Sequence, residues 1–78
     1  MEDIRIDLYG VLAEIAGKQQ LIYSNIKDIH SLKKKVNTNF PEMDAYNYII
    51  AINNMIVHEN VQIPLGSSIA LMPPFSGG

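Results

Sequence analysis

The chain carries one long amphipathic helical pattern, and this pattern limits the folds open to it. Between Asp28 and Pro41, apolar residues recur at spacings of three and four positions: Ile29, Leu32, Val36 and Phe40. Residues at this spacing share one face of an α-helix. Asp28 can cap the N-terminus of that helix, and Pro41 ends it. One apolar stripe must be buried against another layer, which favours a single helix packed on a sheet.

Alternating apolar and polar residues predict the strands of that sheet. Ile4, Ile6 and Leu8 alternate with polar neighbours in the first strand. Further strands are predicted at residues 20–26, 47–53, 55–57 and 68–72, with a helical turn at 11–17. Asn53-Asn54 suits a tight hairpin turn because asparagine tolerates positive φ. The predicted fold class is α+β, with one main helix on one face of one sheet.

The second face of the predicted sheet has no obvious cover. Seven apolar strand residues are predicted to point toward the helix: Ile4, Ile6, Leu8, Ile50, Ile52, Ile69 and Leu71. Alternation then places five residues on the opposite face: Tyr9, Ile49, Ala51, Ala70 and Met72. A cluster of exposed apolar side chains is typical of a docking surface. The alternative is that irregular segments cover some of these residues, and the sequence leaves both possibilities open.

Composition excludes several classes of function. The chain has 78 residues, which is enough for one small domain. Its net charge of −2 gives no basic surface for nucleic acid or an anionic membrane. Cysteine is absent, so there are no disulfides, thiolate metal sites or cysteine nucleophiles. The N-terminus does not resemble a signal peptide, and no apolar stretch is long enough to span a bilayer. The expected location is the cytoplasm.

Other chemically suggestive residues are better explained without a catalytic site. His30 and His58 are isolated in the sequence and have no second ligand at metal spacing, so no metal site is predicted. Consecutive lysines at 33–35 point in different directions around a helix, which is typical of a solvated face. No set of nucleophile, base and orienting group is present. The chain alone is therefore not expected to be an enzyme.

The end of the sequence combines strand termination with a thin, flexible peptide. Pro73-Pro74 follows the last predicted strand, and because proline fixes φ and lacks a backbone donor, it directs the chain outward in an extended form. Gly77-Gly78 has no Cβ atoms, so it can enter a narrow channel and present a bare carboxylate. A terminal Gly-Gly alone arises by chance in about 0.5 % of chains. We therefore expect a domain at residues 1–72 and a functional tail at 73–78.

Three segments of the chain carry a family resemblance. They are Tyr-Gly-Val-Leu-Ala-Glu-Ile-Ala-Gly at 9–17, Ile-Ala-Ile-Asn at 50–53 and Ala-Leu-Met-Pro-Pro-Phe-Ser-Gly-Gly at 70–78. Together they resemble the MoaD family, the small subunit of molybdopterin synthase, over nearly the whole chain and most specifically at the tail. The resemblance implies the ubiquitin-like β-grasp fold, a mixed sheet whose first and last strands pair in parallel at its centre.

The resemblance also implies a function as a sulfur carrier in molybdenum cofactor biosynthesis. In this family an E1-like activating enzyme of the MoeB type uses ATP to adenylate the terminal glycine carboxylate, which becomes a thiocarboxylate. That group donates sulfur to a pterin precursor held by the MoaE-like large subunit, forming the molybdopterin dithiolene. The implied partners are these two proteins and a sulfur donor protein, with the synthase a heterotetramer. No cofactor is expected to bind this chain itself.

The family's functional positions map onto a small set of residues here. Gly78 is expected to carry the acyl-adenylate and then the thiocarboxylate. The expected tail inserted into the partner's active site is Phe75, Ser76, Gly77 and Gly78. The expected partner interface is Tyr9, Ile56 and Met72. Two departures from the family pattern lie elsewhere: Ala13 replaces a frequent basic residue, and Leu65-Gly66-Ser67 replaces an acidic Asp-Gly-Asp turn.

Three other hypotheses remain open. A ThiS-like sulfur carrier for thiamine synthesis shares the fold and the diglycine, but such relatives usually lack the two prolines before it. A ubiquitin-like modifier would use the same activated tail to acylate a lysine amine. A β-grasp interaction module would have an incidental tail, and loss of Gly78 would then leave its function intact.

Overall fold

One mixed sheet and its covering helix form the molecule. The computed structural model describes residues 3–74. Its elements are β1 (Asp3–Leu8), α1 (Val11–Ala16), β2 (Gln20–Ser24), α2 (Ile29–Asn39), β3 (Ile49–Ile52), β4 (Met55–Val57) and β5 (Ser68–Met72). A 3₁₀ helix at Pro41–Tyr46, which the apolar pattern does not predict, follows α2.

The five strands pair in the order β2-β1-β5-β3-β4. β1 and β5 run parallel at the centre, and the other neighbouring pairs are antiparallel. This is the β-grasp topology, so the predicted α+β fold is confirmed. In the described range 3–74, no helix is both long and apolar enough to cross a bilayer.

Helix α2 begins at the predicted cap. The Asp28 carboxylate accepts hydrogen bonds from the Ser31 backbone N–H at 2.9 Å and the Ser31 hydroxyl at 2.6 Å. These bonds, the hydroxyl's first, lower the pKa of Asp28 below its ordinary value because they favour the ionised carboxylate. Ile29, Leu32 and Val36 are buried, which confirms the apolar stripe.

The core lies between α2 and one face of the sheet. Alternate strand residues point into it, and every one of the seven predicted to do so is buried: Ile4, Ile6, Leu8, Ile50, Ile52, Ile69 and Leu71. Met43 from the 3₁₀ helix and Leu12 from α1 are fully buried beside them. The two short helical segments lie next to each other and complete the core beside α2 and the sheet.

Asparagines in left-handed conformations make two strands shorter than the sequence pattern predicts. β2 ends at Ser24 rather than residue 26, because Asn25 adopts φ 62 and turns the chain. β3 begins at Ile49 rather than residue 47, because Asn47 has φ 49. The predicted hairpin turn is confirmed, with Asn53 at φ 50 and Asn54 at φ 70.

Candidate functional site

The sheet face opposite α2 carries a group of apolar side chains that no other element of the described chain covers completely. The strand register sets Asp7, Ala70, Ala51 and Ile56 in one row across four strands. Met72 pairs with Ile49 in the next row. We define the open-face patch as Tyr9, Ile49, Ala51, Ile56, Ala70 and Met72.

Exposure within the open-face patch is greatest at its ends. Tyr9 is 50 % exposed and Ile56 52 % exposed, whereas Met72 between them is half-buried. Ala51 was expected on this surface but is only 5 % exposed. Its register does place it on the open face, but its short methyl lies between larger neighbours, including Ile56, so solvent does not reach it. The prediction of an exposed Ala51 is therefore wrong.

On the β2 side of the patch, polar side chains at Gln20 and Ser24 flank Ile22, which is 63 % exposed on the same face. The Gln20 amide donates to the Asp7 carboxylate at 3.0 Å, and the Ser24 hydroxyl donates to the Asp3 carboxylate at 2.6 Å. Both bonds join β1 to β2 on this open face. The two carboxylates thus already have partners within the sheet, which the sequence alone does not reveal.

The chain leaves the sheet at one end of the open-face patch. β5 ends at Met72, and the backbone N–H of Tyr9 donates to the Leu71 carbonyl at 3.2 Å, which ties the end of β5 to the segment after β1. Pro73 is half-buried and Pro74 is exposed. The predicted tail residues Phe75, Ser76, Gly77 and Gly78 lie outside the described residues.

A groove with a volume of about 450 Å³ lies between α2 and the β4 edge, and Ile49 and Ile56 of the open-face patch also line it. His30 and His58, far apart in the sequence, both line it, and the His30 backbone N–H donates to the Asn60 side-chain oxygen at 2.8 Å. Within residues 3–74, no three His, Cys, Asp or Glu side chains are grouped so as to hold a metal ion.

Tyr48 lines the same groove and connects it to α2. Its hydroxyl donates to the Asn37 side-chain oxygen at 3.1 Å. Burial, and secondarily the nearby Asp44 carboxylate, raise the pKa of Tyr48 to about 12. A phenol with so high a pKa stays protonated near neutral pH, so Tyr48 acts there as a hydrogen-bond donor.

The geometry is suited to binding. The open-face patch offers an apolar surface with polar side chains and Ile22 beside it, and the chain leaves the sheet next to it. Exposed apolar surfaces of this kind are typical of protein docking sites. The described residues place the three predicted interface positions on this face, with Ile56 on the edge strand β4 and Met72 on the central strand β5.

Solved structures of other proteins share this fold. A Pyrococcus furiosus protein assigned as subunit 1 of molybdopterin converting factor superposes with a TM-score of 0.82 at 13 % identity, covering 96 % of this chain and 100 % of that one. Small archaeal modifier protein 1 of Methanosarcina acetivorans has a TM-score of 0.76 at 21 % identity, covering 100 % and 98 % respectively. The Haloferax volcanii protein of the same name has a TM-score of 0.79 at 18 % identity, covering 96 % and 100 %.

At these identities the structural matches establish the fold alone. No curated protein matches the chain. The model of the ThiS family, however, matches residues 6–78, which is nearly the entire sequence and includes the diglycine. The chain therefore belongs to the ThiS family, the ubiquitin-like sulfur carriers of MoaD and ThiS type.

Proposed function

We propose that this chain is the sulfur-carrying small subunit of a molybdopterin synthase and that Gly78 is its reacting residue. One observation carries the proposal. The central strand β5 ends beside the open-face patch, and the sequence continues from there as Pro-Pro-Phe-Ser-Gly-Gly. A partner that docks on the patch can therefore receive the tail without any rearrangement of the sheet.

Activation of Gly78 is needed because a carboxylate is a poor electrophile. Its negative charge repels nucleophiles, and oxide is a poor leaving group. An E1-like activating enzyme lets a carboxylate oxygen attack the α-phosphorus of ATP, which releases pyrophosphate and leaves an acyl-adenylate. A sulfur nucleophile then attacks the acyl carbon and AMP departs. With hydrosulfide as the nucleophile, the product is the thiocarboxylate and no oxidant or reductant is required.

The loaded tail then acts in a second protein. The thiocarboxylate sulfur is soft and anionic, so it can form a C–S bond to the pterin precursor held by a MoaE-like large subunit and displace an oxygen substituent of that precursor. Water then cleaves the acyl–sulfur bond of the resulting thioester, which leaves the sulfur on the pterin and returns Gly78 to a carboxylate. Gly77 provides clearance in the narrow channel because it has no side chain. Phe75 and Ser76 line the channel entrance. Two such transfers supply the two sulfurs of one dithiolene, in keeping with a heterotetramer that holds two small subunits.

Tyr9, Ile56 and Met72 form the surface on which both partners dock in turn. Sharing one surface makes the two complexes mutually exclusive, so the carrier must leave the activating enzyme before it enters the synthase. A methionine suits this exchange because its flexible thioether adapts to different apolar partners. The name of the Pyrococcus furiosus structural relative supports a large-subunit partner of this kind.

Intact-protein mass spectrometry tests the proposal. The chain is incubated with a MoeB-like activating enzyme, ATP and hydrosulfide, and its mass is expected to rise by the difference between one sulfur and one oxygen. A chain lacking Gly78 is the matched control and is expected to keep its mass. An unchanged mass for the native chain, under conditions in which the enzyme activates a known carrier, would contradict the proposal.

A second candidate function is a ubiquitin-like protein modifier. The similarity to small archaeal modifier protein 1 favours it. Here a lysine amine, rather than a sulfur nucleophile, would attack the acyl group and give an isopeptide bond. Conjugates of this chain that disappear when Gly78 is removed would support the modifier function.

A carrier of sulfur for thiamine synthesis is a third candidate, because the chain matches the ThiS family model. The two carriers share the thiocarboxylate and differ in the protein that consumes it. Incubating the thiocarboxylated chain with a MoaE-like subunit and pterin precursor distinguishes them, since only the molybdopterin carrier forms a dithiolene there. The two prolines before the final four residues favour the molybdopterin role.

A further inference from the structure

The start of the tail packs against a glycine. Leu8 and Leu71 form the last registered pair between the parallel strands β1 and β5. Two residues beyond each of them, Gly10 and Pro73 meet. A Cβ atom built on Gly10 would lie 3.0 Å from Cγ and 3.6 Å from Cδ of Pro73. The shorter distance is well below ordinary van der Waals contact, so the proline ring occupies the space that a side chain at position 10 would need.

The backbone of Gly10 is in a conformation that suits glycine. It has φ 58 and ψ −134, outside both the right-handed and left-handed helical regions, and a residue with a Cβ is strained there. Its carbonyl accepts hydrogen bonds from the N–H groups of Ala13 at 3.1 Å and Glu14 at 3.4 Å. Gly10 is therefore held in the first turn of α1.

Neighbouring contacts fix the position of that turn. Leu12 in α1 is fully buried in the core. The hydrogen bond from the Tyr9 N–H to the Leu71 carbonyl joins the residue before Gly10 to the end of β5. These contacts hold the turn in place. A side chain added at position 10 would therefore displace Pro73 rather than the turn.

We propose that Gly10 is a positioning residue for the C-terminal tail. By leaving room for the Pro73 ring, it fixes the direction in which the chain leaves the sheet and hence where Gly78 is presented to the activating enzyme. This inference rests on the proposed function, because it concerns the presentation of an acyl group for adenylation. Gly10 itself does not touch the reacting atoms.

The expected effect follows from the sensitivity of group transfer to geometry. A misplacement of about 1 Å can lower a reaction rate on the order of 100-fold. The 3.0 Å contact with Pro73 is relieved by a smaller shift than this, so we expect the Gly10→Ala substitution to lower kcat for thiocarboxylate formation roughly tenfold. KM for the carrier is expected to change little, since the open-face patch that docks the enzyme is unaltered.

Two other glycines supply matched controls. Gly17 and Gly66 also have positive φ, 73 and 78, but a Cβ on either would meet no atom within 4 Å. Gly17→Ala and Gly66→Ala therefore introduce backbone strain without touching Pro73. The wild type and all variants, as full chains, are assayed with the activating enzyme, ATP and hydrosulfide by intact-protein mass spectrometry, at several carrier concentrations. If Gly10→Ala has the same kcat as these two controls, the inference is wrong.

A second substitution tests the contact itself. Pro73→Ala removes both Cγ and Cδ, the two atoms that the new methyl would meet. The double variant Gly10→Ala/Pro73→Ala is expected to have the same kcat as Pro73→Ala alone. If Gly10→Ala still lowers kcat tenfold in the Pro73→Ala background, the contact is not the cause and the inference fails. This comparison also decides the matter if Gly10→Ala alone does not fold.

Failure of this inference is distinguishable from failure of the proposed function. If the wild-type chain is not thiocarboxylated, the proposed function fails and this inference with it. If the wild type is thiocarboxylated while Gly10→Ala matches its controls, only the positioning role is refuted.

Discussion

The two faces of the sheet are built from the same strands yet differ in packing. On the face toward α2, branched aliphatic side chains are buried almost completely, and Ile6, Ile69 and Leu71 exclude solvent. On the other face, the side chains are less completely buried, and Tyr9 and Ile56 are about half exposed. Adjacent residues of one strand thus differ in their surroundings: one set is buried and stabilises the fold, and the other leaves apolar surface exposed.

The largest expected effect is on the free energy of unfolding, to which the buried face should contribute more than the open face. Leu71 is 0 % exposed, and the next residue, Met72, points to the open face and is half-buried. Leu71→Ala is expected to lower the free energy of unfolding by about 3 kcal/mol, because it removes buried methyl groups and leaves a cavity. Met72→Ala is expected to cost less than about 1.5 kcal/mol. Urea denaturation measures both, and equal losses would show that the open face is packed like the core.

The next effect concerns binding. Met72→Asp places a charge in the open-face patch and is expected to weaken binding to the large subunit by roughly tenfold to 100-fold, as for a central interface residue. The fold should remain intact because the side chain is not in the core. Isothermal titration calorimetry measures the affinity, and circular dichroism checks the fold.

Leu65→Asp is the matched control for this substitution. Leu65 is an equally apolar residue, 71 % exposed, in the loop before β5 and therefore at the opposite end of that strand from the tail. It is expected to leave the affinity unchanged. If Met72→Asp binds like the wild type, the assignment of the patch as the docking surface is wrong.

The smallest expected effect is a loss of stability in alkaline solution, and it comes from Tyr48 on the α2 side of the sheet. The pKa of Tyr48 is raised to about 12 in the folded chain, above the value of about 10 for an unfolded tyrosine. Between these values the unfolded chain loses the phenol proton and the folded chain keeps it, so stability falls as pH rises. Tyr48 is only 8 % exposed, but it lines the groove beside α2, where solvent can screen its charge, so we expect this loss to stay below about 1 kcal/mol.

Tyr48→Phe isolates that contribution. The variant lacks the titrating group, so the stability advantage of the wild type over Tyr48→Phe should shrink between about pH 10 and pH 12. Thermal melts at a series of pH values measure the difference. An advantage that stays constant over this range would contradict the raised pKa.

The contrast between faces is largely predictable from the sequence because alternation in a strand is a local property. The stripe at Ile29, Leu32 and Val36 and the alternation in β1 and β5 follow from spacing alone. The chemistry of asparagine at Asn53 predicts the hairpin for the same reason. These features depend on a residue and its neighbours within a few positions.

Features that depend on tertiary contacts are not predictable in this way. The burial of Ala51 depends on side chains from adjacent strands. The groove that brings together His30 and His58 forms only when α2 packs beside β4. The contact of Gly10 with Pro73 joins positions far apart in the chain, and only the parallel pairing of β1 with β5 brings them together.

The parallel pairing at the centre of the sheet has a consequence for the order of events during synthesis. β5 lies between β1 and β3, so the two halves of the sheet cannot pair until residue 72 has emerged from the ribosome. Contacts this distant along the chain slow folding relative to a helical protein of similar size. Under the proposed function, the reacting residue Gly78 follows this last strand by six positions. A chain cut short before β5 would therefore lack the central strand of the sheet and, under the proposed function, also the glycine that is activated.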